Sequence, residues 1–299
     1  MNLDDIKQAL LESYERDGGI NHLDGVNLPT QDSVQQLASD YMHLIFPGFF
    51  EATGLTKHDV PILVEDLLRR VELRLKTDIE KGLRFARDPD PAKRAAELTM
   101  ATLDQLPALR KVIKTDVDAA FEGDPAAGSI EEIILAYPCV LSISLQRFAH
   151  VLYTLGVPLL PRMLTEYGHE RTGSDLHPGA KIGSHFFIDH GTGVVIGETS
   201  EIGSHVKLYQ GVALIARSTA GGQALKGQKR HPSIEDRVTV YASTTIMGGD
   251  TVIGAGSTIG GNVFVTQSVP KRSLVLVEAQ NVKVLNKDQH AAGALDWVI

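Results

Sequence analysis

Three short stretches hold side chains able to move a proton or bind an ion. They are Asp175-Leu176-His177-Pro178-Gly179, then Asp189-His190-Gly191-Thr192-Gly193 with Glu198 just beyond, and Lys229-Arg230-His231-Pro232. A histidine beside two acidic groups is the usual apparatus for deprotonating a hydroxyl at neutral pH. The carboxylate fixes the imidazole tautomer and stabilises the imidazolium that forms. Taken singly, each of these residues reads as an ordinary surface or turn residue.

The elements that carry these stretches follow from the hydrophobic pattern, which changes near Gly173. After it, aliphatic residues recur every six positions: Ile182 and Ile188; Ile196, Ile202, Leu208 and Leu214; Ile234, Val240 and Ile246; Ile253, Ile259 and Val265. Glycine often follows the aliphatic residue. A six-residue period is the signature of a β-solenoid, in which each repeat is one short strand and a turn that buries its apolar residue only by stacking. Glycine and small residues serve the tight corners. The period breaks at 189–193, where the spacing widens to eight, and between Leu214 and Ile234, where a glycine-rich cationic insertion intervenes. Solenoid insertions become loops, often on the binding face, and both breaks hold reactive side chains.

Before Gly173 the apolar residues keep helical spacing. Asn2 caps a first helix bearing Leu3, Ile6, Leu10 and Tyr14. Thr30 opens a second, with Val34, Leu37, Tyr41 and Leu44 as its stripe, ended by Pro47. A longer helix spans about 58–84, and Asp90-Pro91 starts another, with proline in its first turn. Ser129-Ile130-Glu131-Glu132 reads as a capping box, and helix continues to about Tyr167 with breaks at Pro138 and Pro158. The expected architecture is α+β: helical residues 1–172, a β-helix at 173–277 and a tail at 278–299.

Composition bounds the function. The chain has 299 residues with 43% hydrophobic and 22% charged, the mix of a soluble globular protein. No apolar run approaches bilayer length, and an acidic N-terminus without an apolar stretch argues against a secretory signal. The single cysteine, Cys139, excludes an intrachain disulfide, so a reducing cytoplasm is the expected location. A formal net charge of −8 argues against a broad nucleic-acid surface.

From Asp175 to Glu198 the chain resembles the signature of the serine acetyltransferase family, and the likeness continues through Val206-Lys207-Leu208-Tyr209-Gln210-Gly211-Val212 and Lys229-Arg230-His231-Pro232. It covers roughly 124–270, and the Asp-His-x-Thr-Gly-x-Val-x-Gly-Glu-Thr run is its most specific part. The resemblance implies a left-handed parallel β-helix of hexapeptide repeats that forms a homotrimer or dimer of trimers, transferring acetyl from acetyl-CoA to L-serine. It implies His190 as general base and Asp175 as its carboxylate partner. Asp124, Asp189, Arg230 and His231 would hold serine, and Gly211, Ala242 and Gly261 would border acetyl-CoA. Aspartates suit an ammonium and a guanidinium suits a carboxylate. With Cys139 remote from the signature, direct transfer in a ternary complex is the simpler mechanism. The family also implies inhibition by L-cysteine and capture of the C-terminal Ile299 by O-acetylserine sulfhydrylase. No metal is implied.

Two departures from the family pattern stand out. The 214–230 loop lacks a Leu-Gly-Gly-Thr-Gly run, and Val277-Glu278-Ala279-Gln280 replaces the usual Gly-x-Pro-Ala. Three other readings stay open: the same fold acting on homoserine, a sugar or an antibiotic; a zinc hydratase using histidines among His177, His185, His190 and His205; and a non-catalytic scaffold.

Overall fold

The computed structural model describes residues 2–277. Among these, eight α-helices precede fourteen short parallel strands: an N-terminal helical region and a left-handed parallel β-helix. The helices are α1 (Leu3–Arg16), α2 (Gln31–Ile45), α3 (Val60–Phe85), α4 (Pro91–Asp104), α5 (Leu106–Gly123), α6 (Ile130–Ala136), α7 (Pro138–Thr154) and α8 (Leu160–Thr172). No single helix among the described residues is long and apolar enough to cross a membrane.

The chain forms two compact units that do not divide where the helices end. One holds residues up to Leu109 together with Arg147–Tyr167; the other holds Arg110–Gln146 and the chain from Gly168. In the first unit, α1 begins at the expected Asn2 with a full capping box, yet buries none of its residues. The α2 cap is Thr30, and Val34, Leu37 and Tyr41 are buried as the stripe requires, with Leu44 half-buried. Tyr41 stacks on Phe148 at 4.2 Å. In the second unit, Ser129 caps α6 by accepting the Glu132 N–H, but the Glu132 carboxylate accepts from Gly128 rather than from the cap itself. Helix continues past Tyr167 to Thr172.

In the β-helix the hexad residues become three inward columns. The first face aligns Leu176, Ile196, Leu214, Ile246 and Val265. The second aligns Ile182, Ile202, Ile234 and Ile253, and the third Ile188, Leu208, Val240, Ile259 and Val275. Most are under 7% exposed, so each coil covers the apolar residue of the next. We call the turns from face one to two, two to three and three to one the first, second and third edges.

The corner glycines divide their labour in a way the sequence does not reveal. Those following the aliphatic residue serve close approach: a Cβ on Gly183 would lie 2.6 Å from the carbonyl of Gly203 in the next coil. Left-handed backbone falls elsewhere, and much of it on non-glycine residues such as His185, His205, Arg237, Ser243 and Asn262.

Helices dock onto the first coil within the second unit. The Phe186 N–H donates to Asp116 (2.9 Å) and the His185 N–H to Thr115 (3.0 Å), both on α5. Gln146 of α7 donates to the Ala180 carbonyl at 2.9 Å. These contacts fix where α5 ends relative to the β-helix.

Candidate active site

The widened break at 189–193 lies on the third edge. The Asp189 N–H still joins the ladder, donating to the Leu208 carbonyl at 2.8 Å, but the Gly191 N–H turns back to the Asp189 carbonyl at 2.7 Å. His190 is therefore the centre of a three-residue turn, with φ of +61°. A residue with a Cβ holds that conformation at a cost, of the kind stored at functional sites. The turn lifts the imidazole off the coil: its side chain is 69% exposed, against 11% for Asp189. His190 Nδ1 stands 3.6 Å from Asp189 Oδ1. Ser174 Oγ donates to the Gly191 carbonyl at 2.8 Å, which fastens the start of the first strand, and so Asp175, to this turn.

Asp124 reaches the same cluster from α5. Proline at 125 disfavours helical backbone at the residue before it, so α5 stops at Gly123. The Asp124 carboxylate then accepts from the Ala126 N–H (2.9 Å) and from the Tyr137 hydroxyl (2.5 Å). The Tyr137 bond is the main cause holding the Asp124 carboxyl below its usual range, with Lys207 and His190 adding to it. The same bond pushes the Tyr137 hydroxyl up to about 12. Lys207 lies 3.4 Å from Asp189 Oδ2.

Arg230 and His231 lie on the first edge, with Glu198 and Thr199 of the preceding coil. Arg230 pairs with Glu198. Thr199 anchors the returning insertion: its Oγ1 accepts from the N–H groups of Arg230 (2.9 Å) and His231 (3.0 Å), and Lys229 Nζ donates to its carbonyl at 2.6 Å. His231 Nδ1 accepts the Thr199 N–H at 3.1 Å, which leaves the proton of the neutral ring on Nε2. Burial first, then the Arg230 charge, lowers His231 to about 4, so it offers an N–H without being an acid. The ring lies over Gly197, where a Cβ would meet it at 2.0 Å.

The remaining expected site residues follow the third edge. The edge is laddered coil to coil through Thr192–Gly211, Gln210–Ser243 and Ala242–Asn262 backbone bonds of 2.9 Å. Gly211, Ala242 and Gly261 thus sit on successive coils of the edge that carries His190. A Cβ on Gly261 would come within 3.2 Å of the Ala242 carbonyl oxygen, so successive coils approach closely here. Cys139 is buried, and burial pushes its thiol up to about 12, which disqualifies it as a nucleophile. The histidines of the zinc reading fall on three different edges. His185 and His205 stack at 4.1 Å on the second, His190 is on the third, and His177 neighbours His231 on the first.

Three neighbours are given no role by the sequence: Lys207, Tyr137 and Glu198. A signal exists for Glu198. The insertion sets the coil pitch there, and Glu198–Arg230 and Thr199–His231 are each 32 residues apart, one coil, like the paired Tyr209 and Tyr241. Tyr137 and Asp124 meet across a loop with no periodic cue.

No protein-family model matches the chain. It is 45% identical over 262 residues to a plasmid-borne serine acetyltransferase of Synechococcus elongatus, covering 83% of this chain and 81% of that protein. Among solved structures it is similar to serine acetyltransferase isoform 3 of Entamoeba histolytica in complex with cysteine. That likeness has a TM-score of 0.74 and 33% identity and covers 94% of each chain. It is also similar to soybean serine acetyltransferase complexed with serine (TM-score 0.54, 27% identity, 82% of this chain and 96% of that one).

Proposed function

The chain belongs to the serine acetyltransferase family, and on that premise we propose that it transfers acetyl from acetyl-CoA to the hydroxyl of L-serine. The products are O-acetyl-L-serine and CoA, in the first step from serine toward cysteine. The observation that carries this reading is the His190 turn, a raised imidazole beside Asp189 on an edge that Asp124 also reaches.

His190 takes the serine hydroxyl proton as the oxygen attacks the thioester carbonyl. The tetrahedral intermediate then expels the CoA thiolate, which receives that proton back from the imidazolium. Asp175 serves the imidazole as carboxylate partner. Asp124 and Asp189 receive the serine ammonium. Arg230, shared with Glu198, and the Nε2–H of His231 receive its carboxylate. The small-residue strip at Gly211, Ala242 and Gly261 leaves room for the pantetheine arm of acetyl-CoA. The unfit Cys139 thiol favours direct transfer over an acyl-enzyme. Replacing Arg230 with Ala should raise the KM for serine about 10- to 100-fold, the worth of a charged hydrogen bond, and leave the KM for acetyl-CoA nearly unchanged. Equal losses for both substrates would remove Arg230 from the acceptor site.

The homotrimer belongs to the same proposal. His190 and Arg230 stand on different edges, separated by a face of about six extended residues, on the order of 15–20 Å. That separation is wide for one serine within a single protomer, which supports a site completed where the third edge of one copy meets the first edge of another. Competition by L-cysteine follows from its likeness to serine, and a cytoplasmic location from the reduced Cys139. Ile299 lies outside the described residues. Its capture by O-acetylserine sulfhydrylase through the terminal carboxylate is proposed and is tested by deleting Ile299 alone: unchanged binding to the sulfhydrylase would refute it.

A further inference from the structure

Lys207 occupies an outward position of the third face, in register with Phe187 and Thr239, while the adjacent Leu208 fills the core. A lysine in such a place ordinarily extends its ammonium into water. This side chain is only 20% exposed. Its Nζ donates to the Gly123 carbonyl at 2.5 Å and lies 3.4 Å from Asp189 Oδ2. The rings of Phe187 and Tyr209 flank it, with centroids 4.9 and 4.7 Å away. Hydrogen-bond acceptors and aromatic faces thus surround the ammonium.

The two acceptors make the position informative. Gly123 ends α5, where exposed carbonyls attract a cation, and the next residue is Asp124. The fit is close, because a Cβ on Gly123 would lie 2.9 Å from the Phe187 ring. Asp189 presents its other oxygen, Oδ1, toward His190. One ammonium therefore ties the segment bearing Asp124 to the turn bearing His190.

We propose that Lys207 is a positioning residue of the acceptor site, fixing Asp189 with Oδ1 toward His190 and holding Asp124 at the same edge. This rests on the serine reading above. Lys207 does not touch the reacting atoms; it sets the two aspartates apart and in place, and offsets the repulsion between two carboxylates awaiting one ammonium.

Two variants test it. Lys207→Met keeps the bulk of the stem and removes both polar contacts. Lys207→Gln retains a donor for the Gly123 carbonyl but no charge for Asp189. The expected result is a serine KM raised about 10- to 100-fold in the Met variant and less in the Gln variant. The KM for acetyl-CoA should stay within about twofold, and the melting temperature of the Gln variant should stay close to wild type. If the Met variant does not fold, the Gln variant carries the test. A serine KM unchanged or lowered in the folded variants would overturn the proposal, showing Lys207 to be a bystander or a competitor of the substrate ammonium. So would a parallel loss for both substrates accompanied by early melting, the mark of a purely structural residue. A wild-type chain without serine-dependent CoA release would remove the functional reading and this one with it. An active wild type with unaltered variants removes this one alone.

Discussion

At the scale of single residues, environment assigns different chemistry to similar side chains. His190 and His231 are both imidazoles beside charged groups. His190 is raised into solvent by a left-handed turn, within reach of one carboxylate. His231 is 8% exposed, lies over Gly197 and beside the Arg230 guanidinium, and is lowered to about 4. That lowering makes a pH prediction whose sign is fixed by linkage. Between about 4 and the ordinary value of 6.5 the unfolded chain binds a proton at this position that the folded chain does not. Stability is therefore full above that window and falls as the pH drops through it, by at most about 3 kcal/mol. In melting curves from pH 7 to 4, His231→Gln should show a shallower loss than the wild type. Identical slopes would mean that His231 charges in the folded state as freely as in the unfolded one.

At the scale of elements, what the sequence reveals and conceals divides along physical lines. The three inward columns were legible because burial imposes a strict period, and a period survives in the letters. The helix starts at Asn2, Thr30 and Asp90 were legible because capping is local chemistry. Most expected site residues fall on two edges for the same reason, as both breaks in the period are loops. Lys207 lies within the stretch that resembles the family, yet its role is not legible there, since an outward strand position reads as a solvated lysine until α5 is laid against it. The Tyr137–Asp124 bond joins two elements through a tertiary contact, which no periodicity encodes. The grouping of α5, α6 and the first half of α7 with the β-helix was hidden for the same reason. Helical spacing marks them as helices but does not say what they cover.

At the scale of the molecule, the proposed trimer would divide each acceptor site between two copies. This makes a mixing prediction. Assayed at serine concentrations below the wild-type KM, His190→Ala and Arg230→Ala, each weakly active alone, should regain activity when co-expressed, because mixed trimers contain interfaces built from two unmutated edges. Mixtures no more active than either variant would return the whole site to one protomer. The most direct measurement is release of CoA from acetyl-CoA, followed with and without L-serine, in the wild type and in His190→Ala. The expected result is release that depends on L-serine and forms O-acetyl-L-serine. In the variant, turnover should fall by about a hundred- to ten-thousandfold, with acetyl-CoA binding nearly intact. Release indifferent to L-serine, or a His190→Ala variant that keeps most of its turnover, would contradict it.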